Sequence, residues 1–205
     1  MTNAVEWSCC GARRAGQRGN CFSKCQVMKF HLDYSVEVND EPFSSSQIQE
    51  KIEEHREELS KVDELYGEVI VAAGGSSGQE LGTVSEPIVR LLDRWLRKAQ
   101  WVIGGDTETI ACMNSEHCFA FVPAGESVEI SLFVGDEEEI EEYIVEPVTV
   151  RLEDFVQSSI ALADNFLKFV QTIGPDVLET SEGCKELSGI LNDVRGAWRE
   201  HQMHR

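Results

Sequence analysis

The chain has 205 residues with 37 acidic and 18 basic side chains, a formal net charge of −19 at pH 7. So large an excess argues against nucleic acid or an anionic membrane surface as the main partner, because both would repel it. It suits solubility, a bound cation or a basic protein partner, and the length allows one domain with a sizeable core.

Charge and cysteine are unevenly spread. Residues 1–27 hold Arg13, Arg14, Arg18 and Lys24 against Glu6 alone, a local +3 that leaves −22 for the remainder. Cys9, Cys10, Cys21 and Cys25 fall in the same stretch, which has no hydrophobic period. We expect residues 1–27 to be disordered, or the product of an upstream start codon, with Met28 as the true start and 28–205 as a single acidic domain. A zinc site on the four cysteines is the competing idea, but adjacent Cys9 and Cys10 do not match the paired knuckles of structural zinc. Only Cys112, Cys118 and Cys184 remain, which is no disulfide framework. With no membrane-spanning apolar run and no signal-peptide core, the expected compartment is the cytoplasm.

Regular alternation begins at Lys29. Phe30, Leu32, Tyr34, Val36 and Val38 share one face of a strand, and His31, Asp33, Ser35 and Glu37 the other. Asn39-Asp40-Glu41-Pro42 turns the chain. Ser46 with Gln49 makes a capping box that opens a helix to about Leu65, with the stripe Ile48, Ile52, His55, Leu59 and Val62. His55 reads there as a partly buried packing residue. Val69–Ala73 is a short strand, and Gly74-Gly75-Ser76-Ser77-Gly78 a mobile connection that lacks the Lys-Ser/Thr of a phosphate-binding loop. Ser85 is expected to cap a helix with Pro87 in its first turn, running to about Trp101. Its apolar face is Ile88, Leu91, Leu92, Trp95 and Ala99, and Arg90, Arg94, Arg97 and Lys98 lie opposite.

A meander follows. Thr107–Met113, Cys118–Val122, Ser127–Val134 and about Tyr143–Arg151 are rich in β-branched and aromatic residues, separated by polar turns. A long apolar helix runs from near Glu153 to Ile173 and stops at Gly174-Pro175. A last helix covers Ser181 to His201, burying Cys184, Leu187, Ile190, Leu191, Val194 and Trp198. The order predicts an α+β fold: an antiparallel or mixed sheet of about six strands, the meander 107–151 at its centre, and about four helices mainly on one face.

Three groups of residues are candidates for chemistry. Asp136, Glu137, Glu138, Glu139, Glu141 and Glu142 place six carboxylates in seven residues, without the alternating ligand order of a calcium loop. They are expected to pair with Lys or Arg on a partner. The stripe Arg90, Arg94, Arg97 and Lys98 is expected to be neutralised internally, the competing roles being an anionic ligand or the register of a self-complementary dimer. Cys112, His117 and Cys118 offer a metal or thiol centre around one hairpin, although adjacent strand residues point to opposite faces. No Gly-x-Ser-x-Gly elbow is present.

The layout loosely resembles small bacterial proteins that include immunity partners of secreted toxins. The expected function is therefore a non-enzymatic acidic interaction domain that masks a basic site on a toxin or nuclease, with no cofactor. A small metal-dependent or thiol-containing enzyme using the 112–118 hairpin, and a housekeeping oligomer, are the alternatives.

Overall fold

A computed structural model describes residues 29–74, 79–112, 116–136 and 140–204. The expectations for the N-terminal segment with its cysteines, for the loop glycines at 75 and 78, for the turn at 113–115 and for Glu137, Glu138 and Glu139 lie outside these residues.

The first sheet joins β1 (Phe30–Val38), β2 (Glu41–Ser44), β3 (Tyr66–Ala73) and β4 (Gln79–Pro87) in the order β2-β1-β3-β4, all antiparallel. The alternation in β1 is as read: Phe30, Leu32, Tyr34, Val36 and Val38 are all buried. The turn after it is tighter than expected. Asn39 and Asp40 both take positive φ, 53° and 64°, which is the two-residue hairpin whose twist matches the strands it joins. Glu41 and Pro42 therefore belong to an edge strand, where a residue without N–H is tolerated.

β4 was not expected. It contains Gly82 and ends in Pro87, so its composition does not read as a strand. Ser85 does not cap a helix but pairs with Glu68 in the sheet, and α3 (Ile88–Gly104) begins three residues later. The expected helix over 46–65 also divides, into α1 (Ser45–Glu50), α2 (Arg56–Leu59) and a 3-10 turn at Val62–Glu64. The capping box is real but sits two residues earlier, on Ser44 and Gln47. Glu50, Glu53, Glu54, Glu57 and Glu58 would stack like charges at i+3 and i+4 in a continuous helix, which opposes it. Ile48, Ile52, Leu59 and Val62 are nevertheless all buried.

The meander forms a second sheet, β5 (Glu108–Ala111), β6 (His117–Ala124), β7 (Ser127–Gly135) and β8 (Ile140–Arg151), antiparallel in that order. Helices α4 (Leu152–Ile173), α5 (Pro175–Thr180) and α6 (Glu182–Met203) complete the chain. The α+β class is as expected. The single sheet of about six strands with four helices is not: the described residues form eight strands in two sheets, with six α-helices.

Two helices serve both sheets. α3 packs on β3 and β4 of the first and β5 and β6 of the second, while α4 packs on β1, β7 and β8. Aromatic rings follow this arrangement: Phe30 of β1 lies 5.5 Å from Phe155 of α4, which lies 5.3 Å from Phe121 of β6, itself 5.2 Å from Trp95 of α3. The sheets also approach each other directly. Gly82, at φ 155°, leaves room where a Cβ would sit 2.9 Å from Leu132 Cδ2 and 3.2 Å from Phe119 Cζ.

α6 lies chiefly along α3 and enters through a polar joint. Ser181 accepts a hydrogen bond from the Cys184 N–H at 2.9 Å and donates one to Asp63 Oδ1 at 2.6 Å. The Asp63 carboxylate thus faces the positive end of the α6 dipole. The approach is close enough that a Cβ on Gly183 would fall 2.6 Å from Asp63 Oδ1 and 2.8 Å from Val89 Cγ1. On the same helix, Gly189 has nothing within 4 Å of that position. Alanine gains roughly 1 kcal/mol of helix propensity over glycine, while overpacking costs about 1–3 kcal/mol. Gly189→Ala should therefore raise stability by roughly 0.5–1 kcal/mol and Gly183→Ala should lower it by about 1–2 kcal/mol. Urea denaturation of the two variants checks this, and shifts of the same sign would refute the tight joint.

Candidate functional site

The basic stripe of α3 is engaged within the chain. Glu86 on β4 points inward and is only 2% exposed. The Arg94 guanidinium donates to its carboxylate and, at 2.8 Å, to the carbonyl of Ala111 on β5. One side chain thereby ties the last strand of the first sheet to the first strand of the second. Burial pushes the Glu86 carboxyl above the usual carboxylate range, and Arg94 with Arg90 pulls it partly back. Arg97 forks onto Asp93 at 2.7 and 3.1 Å, and Lys98 donates to Glu108 at 2.6 Å. Arg90 is exposed and acts on Glu86 only through its field.

Of the acidic tract, Asp136, Glu141 and Glu142 are described. Asp136 follows β7, and Glu141 and Glu142 open β8, with Glu142 opposite Val134 and Ile140 opposite Gly135. All three described carboxylates are exposed. Glu141 and Glu142 have no ion-pair partner among the described residues.

A second acidic surface was missed in the sequence. A groove of about 710 Å³ opens between α2 and the corner joining α4 to α5, lined by Glu53, Glu54, Glu57, Glu58 and Asp176 with Arg56 as its one cation. Arg56 is itself bound to Glu53. Hollows of about 590 and 270 Å³ adjoin the groove, sharing Glu53 and Glu58 with it respectively. The signal was present: Glu50 to Glu64 holds seven carboxylates against Lys51, Arg56 and Lys61. Taken as one amphipathic helix, that run displays its buried stripe rather than its acidic surface. His55 is partly buried as expected, its ring 5.4 Å from Phe43 and Nε2 4.0 Å from Glu54.

The hairpin does not bring Cys112, His117 and Cys118 into one centre. Cys112 accompanies the main core, whereas Cys118 is buried with Ala120 and Phe133 in a separate cluster. Their thiols donate to different carbonyls, Thr83 at 3.9 Å and Gly135 at 3.5 Å. The Cys112 N–H bonds the His117 carbonyl at 2.9 Å, so these two form a cross-strand pair and the next residue, Cys118, turns to the other face. Among the described residues, no group of three or more His, Cys, Asp or Glu side chains is placed to hold a metal ion. Cys184 belongs to the joint of α6, where burial raises its thiol pKa, Ser181 lowers it and Asp63 raises it further.

No protein-family model matches this chain, and comparison with curated proteins and with solved structures finds no match either. Among the described residues, no helix is long and apolar enough to cross a membrane.

The Glu86–Arg94 pair allows a test of sign. Removing one partner of a buried pair strands the other, at about 3–5 kcal/mol for a fully buried case. Arg94 is 34% exposed and can be rehydrated, but Glu86 cannot. Arg94→Met should therefore cost about 3 kcal/mol at pH 7 and Glu86→Gln clearly less. Because the folded Glu86 carboxyl is raised above its unfolded value of about 4.3, its contribution is most favourable below that value and is lost as pH rises through the folded one. Without Arg94 the folded value climbs further, so the Arg94→Met penalty should shrink as pH falls toward about 4.5. Urea denaturation at both pH values measures it, and a penalty independent of pH would show that the stranded carboxylate is not its source.

Proposed function

We propose that this chain is a non-enzymatic acidic interaction domain that binds a basic protein, in the manner of an immunity protein covering a cationic site on a toxin or nuclease. One observation carries the reading: six of the described cations are held in internal pairs, while exposed carboxylates gather at the start of β8. Arg56, Arg94, Arg97, Lys98, Arg151 and Arg195 each engage an acidic side chain of the same chain. Asp136, Glu141 and Glu142 stand exposed at the start of β8, with Glu137, Glu138 and Glu139 between them in sequence.

Exposed charge of one sign acts at a distance. It steers encounter with an oppositely charged surface and weakens steeply as salt shortens the Debye length to about 8 Å at physiological ionic strength. The role assigned to the six carboxylates is to pair with Lys or Arg at the rim of the partner's basic site, which alters association rate more than final dissociation. The groove beside α2 presents the same sign of charge on another part of the surface. Nucleic acid and membrane are not partners in this reading, and a second copy of the chain would meet the same negative potential.

Partner capture from the cell of origin, identified by mass spectrometry and followed by rate measurements at low and high salt, is the test. The expected partner is basic and associates more slowly as salt rises. Changing Asp136, Glu141 and Glu142 to amides should slow association by about tenfold at low salt. The same changes at Glu53, Glu54, Glu57 and Glu58 should have the smaller effect. A neutral or acidic partner, or a rate indifferent to both sets, would overturn the proposal.

A further inference from the structure

We infer that the partner's chain docks along the open edge of β8, adding an extended segment bearing Lys or Arg as a fifth strand of the second sheet. This rests on the reading above that the partner is basic, and it specifies how that partner is held.

Two four-stranded sheets present four edges, and they are not equivalent. β2 and β5 are four residues long, too short to template an added strand. β4 is longer, but it packs against β7, and its Thr83 carbonyl takes the Cys112 thiol. Among the described residues, β8 is a strand of twelve residues at the end of its sheet, and its main neighbours are β7 and the helix that follows it. Its N–H and C=O groups on the side away from β7 form a row facing outward.

Side chains along this edge fit one class of occupant. Glu141, Glu142, Ile144 and Glu146 are exposed, Ile144 at 47% despite its size. Pro147 has no N–H and ends the run that can donate, which leaves Ile140 to Glu146, about 23 Å of strand. Register irregularities with β7 fall in the same stretch, between Leu132 and Phe133 and between Val134 and Gly135. These add twist, so only a short segment can follow the edge.

Exposed edges are commonly protected by charge, proline and bulges, and all three occur here. Protection alone does not account for the sign, because the ionised side chains of Ile140–Glu146 are glutamates only. Against a second β8 they would face one another, and like charges across a strand pair are unfavourable. Against a strand carrying Lys or Arg the same row becomes attractive, with Ile144 available for an apolar contact. The edge thus repels its own copies and accepts a cationic segment by backbone pairing, with side chains setting specificity.

Two synthetic probes separate this inference from the reading beneath it. One is a nine-residue peptide alternating lysine with valine or threonine; its twin is N-methylated at every amide, which keeps every side chain and charge but removes the donors on both edges. Calorimetry at low salt should find the unmodified peptide about tenfold tighter. Hydrogen exchange should slow at amides within 140–146, and Glu141→Gln, Glu142→Gln and Glu146→Gln together should weaken binding about tenfold. Equal, salt-sensitive binding of both peptides would overturn strand addition while leaving an acidic docking surface intact. Binding of neither peptide would overturn both. Protection confined to amides outside β8 would likewise overturn the edge as the site.

Discussion

The two sheets meet chiefly where β4 approaches β7, so neither can bury its face on the other alone, and that constraint shapes the described fold. A four-stranded sheet must bury one face against something, and here both use α3 and α4. Those two helices consequently need an apolar surface wider than the narrow stripe of an ordinary surface helix. α4 buries Leu152, Phe155, Val156, Ser159, Leu162, Ala163, Phe166, Phe169, Val170 and Ile173, so it is covered from more than one side. Polar atoms caught in this interior must find partners there. The Trp95 indole donates to Ser159 Oγ at 3.1 Å, and Ser159 in turn donates to the Phe155 carbonyl at 2.8 Å. The Arg94 contacts with Glu86 and Ala111 do the same at the junction of β4 and β5.

How much of this can be read from residues depends on whether local pattern and tertiary demand agree. They agree over β1 and over the meander, where alternation and turn chemistry are strong, and over α4 and α6, where long apolar stripes meet clear stop and start residues. Ser181 caps α6, and Gly174-Pro175 divides α4 from α5. They disagree at β4, whose Gly82 is required by the approach of Leu132 and Phe119 rather than by any preference for strand. They disagree again over Ser45–Glu64, where the burial of Ile48, Ile52, Leu59 and Val62 is legible but the helical path between them is not. A periodic stripe fixes which residues face the core; it does not require one unbroken helix to present them.

The candidate surface follows a different logic. Exposed carboxylates leave no periodic trace, so sequence shows their density and not their arrangement. The tract from Asp136 to Glu142 stands out because it is dense and uninterrupted by cations. Glu50 to Glu64 holds seven carboxylates but is laced with Lys51, Arg56 and Lys61, so its groove emerges only when Asp176 is brought across from α5. The basic stripe of α3 shows the converse: dense and conspicuous in sequence, three of its four cations are held by Glu86, Asp93 and Glu108, two of which lie outside its own helix.

These observations bear on why so acidic a chain still forms a compact interior. Like-charge repulsion at −19 opposes compaction, and the cations available to offset it are few. Three of the described ones sit at joints, where each has the greatest effect. Arg94 bridges two sheets, Arg195 of α6 holds Asp164 of α4, and Arg151 holds Asp154 across the entry to α4. The residual negative charge then falls on surfaces where water and salt moderate its cost, among them the start of β8. In the proposed docking mode, that charge keeps the edge from pairing with its own copies and attracts a chain of opposite charge. In that reading, self-avoidance and partner choice have a common source in the unequal placement of the described cations and acids.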